Sequence, residues 1–226
     1  IDAAPEIRPI NIEDLLGRPQ TTLDRGSMAK LIGGRRVLVT GAGGTIGAEL
    51  CRQIAAFGPT SIALVDNSEY QLYAIDLEIS ENAPDLLRHT ILADVRDAAR
   101  MDRVFADQRP ELVFHAAALK HVPMVEMHPD EGASTNVIGT KIVADACCTH
   151  AAKAMVLIST DKAVNPSSMM GATKRVAESY CQALDLREAT RGDERTHFVT
   201  VRFGNVLGST GSVVPLFQRQ LAAGRP

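Results

Sequence analysis

The chain has 226 residues, 45% hydrophobic and 23% charged, a balance that excludes disordered, collagen-like and low-complexity classes. Its net charge of −3, with no Trp and only three Tyr, argues against a nucleic-acid or acidic-lipid surface and against a base-stacking platform. Cys51, Cys147, Cys148 and Cys181 form no C-x-x-C pair, so neither a disulfide scaffold nor a zinc site is expected, and a reducing compartment fits.

No apolar run approaches the ~20 residues of a membrane span, and no signal peptide is recognisable. The chain opens on Ile1 rather than Met and stops at Pro226, so it is expected to be a piece of a longer protein. Residues 1–34 carry Pro5, Pro9 and Pro19 without sustained periodicity. They read as a linker or N-terminal extension, with a short strand and turn over 9–17 as the alternative.

From Arg35 to Pro226 the pattern is that of one domain. Apolar runs of strand length at 37–40, 62–65, 90–93, 112–116, 154–158 and 197–201 alternate with helical patterns. Helical spacing joins Ile46, Leu50 and Ile54, then Met101, Val104 and Phe105, then Val176, Tyr180 and Leu184. Strands that read as unbroken apolar runs between helices predict a parallel sheet covered on both faces. That is an α/β, Rossmann-like doubly wound domain.

The first run leads into Thr40-Gly41-Ala42-Gly43-Gly44-Thr45-Ile46-Gly47, and a helical pattern starts at once. Gly41, Gly44 and Gly47 allow a tight turn, close backbone approach to a pyrophosphate and close helix–sheet packing. Thr45, Ile46 and Gly47 open the helix, whose first N–H groups are offered to the anion. Asp66 ends the second run about twenty residues later, where a carboxylate binds ribose hydroxyls and repels a 2′-phosphate. Its neighbours Asn67, Ser68 and Glu69 include no Arg or Lys, so NAD is expected rather than NADP. Asp94-Val95, after the third run, are placed to hold an adenine amino group. Ala116-Ala117-Ala118, after the fourth, let a cofactor lie against the backbone. A bare structural turn is the competing reading; the strand before, the helix after and the acid at this distance weigh against it.

These residues resemble a known family. The glycine turn, with Lys174 on a late helix, resembles the extended short-chain dehydrogenase/reductases. His115-Ala116-Ala117-Ala118-Leu119-Lys120-His121-Val122-Pro123, Ser159-Thr160-Asp161-Lys162-Ala163 and Arg202-Phe203-Gly204-Asn205-Val206-Leu207-Gly208-Ser209 are similar to segments of bacterial nucleotide-sugar 4,6-dehydratases. The group resembled is the membrane-anchored, CapD-like UDP-N-acetylglucosamine 4,6-dehydratases of polysaccharide biosynthesis, of the retaining type. The general family has Tyr four residues before the Lys. Here that position is Met170, as in the membrane-anchored group.

The resemblance implies an internal redox elimination on a UDP-sugar with NAD. A 4-keto sugar forms, C5 loses a proton, the C6 hydroxyl leaves as water, and the same hydride returns to C6. It implies Asp161 as acid at the C6 oxygen, Lys162 as base at C5, and Lys174 on the nicotinamide ribose. With Met170 in place of Tyr, the 4-hydroxyl proton must go elsewhere: to Asp161, through Thr160, or to water. Lys120, His121, Asn136, Asn205, Ser212 and Val213 are the candidate substrate contacts, with Arg202 a weaker one. It further implies a catalytic domain on the cytoplasmic side of an inner-membrane-anchored parent, a homo-oligomer, and a sugar-closing segment beyond Pro226. No metal is expected, because no histidine pair has ligand spacing. A nucleotide-sugar 4-epimerase and an NAD-binding domain without turnover are the alternatives.

Overall fold

The computed structural model describes residues 24–206 together with Gln220, Ala223 and Gly224. The backbone divides into a unit of residues 26–204 and a second unit of residues 1–25 with 205–226. The first unit holds a six-stranded, all-parallel sheet of order β3-β2-β1-β4-β5-β6. Its strands are β1 Arg36–Thr40, β2 Ser61–Asp66, β3 Leu87–Leu92, β4 Leu112–His115, β5 Ala154–Thr160 and β6 His197–Phe203. The expected Rossmann-like doubly wound architecture is therefore present. The chain reverses its direction of winding between β1 and β4, which opens a crevice at their carboxyl ends.

Successive side chains of β1 feed two separate cores. Val37 and Val39 pack with Cys51 and Ile54 of α2 (Thr45–Ala55) and with Leu72, Ile75 and Ile79 of α3 (Glu69–Asn82). Leu38 packs on the other face with α4 (Ala98–Gln108), α7 (Thr140–Thr149) and α8 (Met169–Glu188). Capping sets where several helices begin. Ser68, Asp97 and Ser168 accept the N–H of Gln71, Arg100 and Gly171 at the starts of α3, α4 and α8.

Three differences from the sequence reading have physical reasons. A helix, α1 (Arg25–Ile32), lies within the stretch expected to be a linker, and Ile32 at its end is buried in the α2–α3 core. β3 begins three residues earlier than its apolar run, because at the sheet edge Arg88 and His89 keep contact with solvent. On α8 the buried stripe is Thr173, Ala177, Cys181 and Leu184, whereas Val176 is exposed. The possible strand over 9–17 falls outside the described residues.

Between β4 and β5, α5 (Val122–Met127) is followed by one continuous helical path. It comprises α6 (Pro129–Ala133), a π-helical segment Ser134–Gly139, and α7. A π segment inside a helix displaces the register of everything after it, and such segments gather at functional sites.

Candidate active site

The glycine turn connects β1 to α2 at the head of the crevice. Gly41 has φ +67°, and a methyl group on it would stand 2.6 Å from Ala117 N. The turn therefore lies directly against Ala116-Ala117, and Ala116 N donates to Thr40 O at 3.0 Å. A methyl on Gly47 would stand 1.8 Å from Gly41 O, so α2 starts as close to the turn as backbone allows. Gly44 is different: a methyl there would have only Gly41 O near it, at 3.4 Å. No side chain caps α2, whose N-cap is Gly44 itself. An open glycine before an uncapped helix start is what an anion needs.

Gly43, which the three-residue glycine spacing does not single out, has its own role. A methyl on it would stand 2.5 Å from Gln71 Cβ of α3, and its N–H donates to Asp66 Oδ2 at 2.9 Å. Asp66 is buried and also accepts Ser68 N–H at 2.9 Å. The carboxylate is thereby fixed beside the turn. Ser68 spends its oxygen on the α3 cap. Asp94 and Val95 lie just beyond β3 rather than within it. Arg96 grips Asp94 through Nε and Nη2, at 3.0 and 2.7 Å from Oδ2, and that pairing holds the Asp94 carboxyl below the usual range. Val95 is buried against Gly139 of the π segment.

Behind the turn lies a buried relay. His115 is fully buried at the end of β4. Its Nδ1 is 2.7 Å from Thr40 Oγ1, and its Nε2 is 3.0 Å from Thr140 Oγ1. Thr140 donates to Asn136 O at 2.7 Å. Burial, aided by the Lys174 charge, pushes the His115 imidazole down to about 3. Asn136 accepts from Leu119 N at 2.8 Å and donates to Leu119 O and Thr173 Oγ1, both at 3.0 Å. Asn136, expected among the substrate contacts, has its amide occupied by these partners. It is fully buried, and its amide ties the 116–120 loop to α8.

Lys174 is 4% exposed, and burial pushes its amine down to about 8. It has no hydrogen-bond partner among the described residues, so three donors stand buried without an acceptor. Met170, one turn earlier, is also buried.

The tip of β5 turns through Asp161–Ala163. Thr160 Oγ1 donates to Asp161 Oδ1 at 2.9 Å and accepts Lys162 N–H at 3.3 Å. Lys162 Nζ lies 3.2 Å from the same Asp161 oxygen. The Thr160 hydroxyl and the Lys162 cation hold the Asp161 carboxyl below the ordinary range. A methyl on Gly171 would stand 2.3 Å from Lys162 O, so α8 presses on this turn through a residue that must be glycine. Gly204, after β6, is close to Asp161 Oδ2.

Arg202, partly exposed at the end of β6, has its guanidinium engaged by Glu178. It donates to Glu178 Oε1 at 2.8 Å and to Oε2 at 2.5 Å, and Ser159 donates to Oε1 at 2.5 Å. Glu178 is fully buried; burial alone would push its carboxyl pKa up, and these donors more than offset that, leaving it below the usual range. Lys120 and His121 are exposed at the start of α5. Asn205 is exposed in the second unit, and Ser212 and Val213 lie outside the described residues.

The strand order, the glycine turn and the strand-end acids define a dinucleotide-binding domain of the short-chain dehydrogenase/reductase type. The chain belongs to the polysaccharide biosynthesis protein family, whose profile matches residues 37–226. It is 47% identical over 224 residues to the probable polysaccharide biosynthesis protein EpsC of Bacillus subtilis, covering 99% of this chain and 36% of that protein. A Campylobacter jejuni UDP-N-acetylglucosamine 4,6-dehydratase (inverting) is 34% identical over 195 residues, covering 86% of this chain and 56% of that protein. The X-ray structure of Pen from Bacillus thuringiensis superposes with a TM-score of 0.75 at 32% identity, over 84% of this chain and 58% of that one. The chain thus spans about a third to just over half the length of these relatives. No helix among the described residues is long and apolar enough to cross a membrane.

Proposed function

We propose that this domain binds NAD in the crevice and is the redox core of a nucleotide-sugar 4,6-dehydratase. Its substrate is UDP-N-acetylglucosamine, and its product feeds surface-polysaccharide synthesis. The observation that carries the reading is the Thr160–Lys162 turn, pinned by Gly171 to the helix that also bears the buried Lys174. The residues fit the cofactor. Gly44 is open to a pyrophosphate, Asp66 is fixed for a ribose, and the Lys174 amine awaits the hydroxyls of a second ribose.

NAD, when bound, supplies hydride acceptance from C4 and hydride return to C6. Everything else belongs to the chain. At rest Asp161 and Lys162 are an ion pair, yet the reaction needs a carboxylic acid and a neutral amine. One proton passing from Lys162 Nζ to the Asp161 oxygen 3.2 Å away creates both forms together. A sugar ring covering this exposed pair favours that neutral form, because burial disfavours separated charge. Lys162 then takes the C5 proton, and Asp161 gives its proton to the departing C6 oxygen. The step leaves the pair in its resting charges. On this route Asp161 already carries the proton from Lys162, and the Thr160 proton is committed to Asp161, so the 4-hydroxyl proton goes to water.

The test is NMR of UDP-N-acetylglucosamine incubated with the protein in D₂O. A new C6 methyl signal with deuterium at C5 is expected, and the product's C5 configuration reports the retaining or inverting course. An altered C4 configuration without a methyl would make the protein an epimerase. An unchanged sugar with NAD bound would leave only a binding domain.

A further inference from the structure

Arg96 follows the strand-end acid Asp94 by two residues. Its backbone N–H donates to Asp94 Oδ1 at 2.9 Å, its Nε lies 3.1 Å from that oxygen, and its Nη1 reaches Glu131 Oε2 on α6 at 2.6 Å. Asp66 ends β2, and Asp94 lies just beyond the end of the adjacent β3. Asp66 pairs with Leu92 in the β2–β3 register, and Ala93 N donates to Asp66 O at 2.9 Å. The Asn67 side chain also helps to hold the Asp94 carboxyl down. A guanidinium thus lies one strand over from the ribose acid, on the carboxylate that Asn67 also contacts, although residues 67–69 contain no cation.

A guanidinium at that corner ordinarily attracts a 2′-phosphate. Here Asp94 and Glu131 flank it, and the Asp66 carboxylate stands at the end of the neighbouring strand, against the glycine turn. We infer that Glu131 is a specificity-determining residue for the cofactor. By engaging Arg96 it withholds the corner's cation from a 2′-phosphate, and it adds its own charge to the exclusion exerted by Asp66. The inference rests on the NAD reading of the crevice, and binding measurements test the two separately.

The experiment is calorimetric titration of NAD⁺ and NADP⁺ into the protein, freed of bound dinucleotide. The variants are Glu131→Gln, Asp66→Ser, Asp66→Ser/Glu131→Gln, and that double variant with Arg96→Leu added. Unaltered protein binds NAD⁺, and Glu131→Gln keeps that affinity within about twofold, as for loss of one exposed ion pair. In the Asp66→Ser background, Glu131→Gln tightens NADP⁺ roughly fivefold. The gain shrinks as salt is raised, and it disappears with Arg96→Leu. An unchanged NADP⁺ affinity on adding Glu131→Gln overturns the inference, as does a gain that survives Arg96→Leu. Failure of the unaltered protein to bind NAD⁺ overturns the cofactor reading and the inference with it.

Discussion

His115 Nε2 lies 3.0 Å from Thr140 Oγ1, and that hydroxyl gives its only proton to the Asn136 carbonyl. The hydroxyl can therefore only accept from the ring, so the proton sits on Nε2. Nδ1 is left to accept the Thr40 hydroxyl. Nitrogen NMR of the histidine should show a neutral ring with a protonated Nε2 at pH 7. A protonated Nδ1 would break the relay.

The same burial ties stability to acid. His115 titrates at about 3 in the fold, against 6.5 when exposed. The unfolded chain thus binds the extra proton first. The His115 contribution to stability is complete above pH 6.5 and falls by up to about 1.4 kcal/mol per pH unit as pH drops from 6.5 toward 3. Denaturant titrations of His115→Gln across that window should show a shallower fall than the parent. Equal slopes would mean that the ring is not kept neutral by the fold.

Lys174 carries an opposite lesson, because function holds it where stability would not. Its amine falls from 10.5 to about 8 on burial. At neutral pH the ligand-free fold bears the penalty of a buried cation, of order 3 kcal/mol. Lys174→Met should therefore raise the melting temperature of the ligand-free protein at pH 7. The advantage should shrink between pH 8 and 10.5, where the unfolded chain alone still holds the proton. The same variant should bind NAD more weakly. A destabilised Lys174→Met at pH 7 would show that the amine has a partner in the fold.

Much of this architecture is written locally in the chain. Period, run length and glycine spacing survive in one dimension, so the six strands, the Gly41–Gly47 turn and Asp66 could be read directly. Pairings between distant residues do not survive. Arg202 at a strand end suits a ligand or a buried carboxylate equally well, and only the fold brings Glu178 to it. Asn136 was ambiguous for the same reason. His115 carried a faint signal, a polar residue closing an apolar strand, while nothing in sequence announced Thr140 as its partner. Gly171 was hidden because a helix start tolerates glycine for many reasons, and the approach of the Lys162 carbonyl is a tertiary fact.

Arg202 yields a stability prediction where the sequence suggested binding. Removing it leaves Glu178 buried with only Ser159 and a 3.5 Å contact from Arg175. Removing one partner leaves the buried Glu178 charge less compensated, although Arg202 itself stands partly in solvent. Arg202→Met should therefore lower the unfolding free energy, whereas Glu178→Gln with Arg202→Met together should lose less. A stable Arg202→Met whose defect is confined to substrate KM would restore the binding reading.

The Asp161–Lys162 pair gives the sharpest chemical test. If one proton shared between them creates the acid and the base, then Asp161→Asn and Lys162→Ala each remove both functions. Each should reduce methyl formation at least about 10²-fold, the lower range for losing a positioned acid or base, with NAD affinity unchanged. Thr160→Val acts more gently. It deletes the hydroxyl that helps to hold the Asp161 carboxyl down. The carboxyl should then titrate higher, and the acid limb of the pH–rate profile should move upward while the fold stays intact. Two single variants with additive, partial losses would mean that Asp161 and Lys162 act independently, and the shared-proton mechanism would fall.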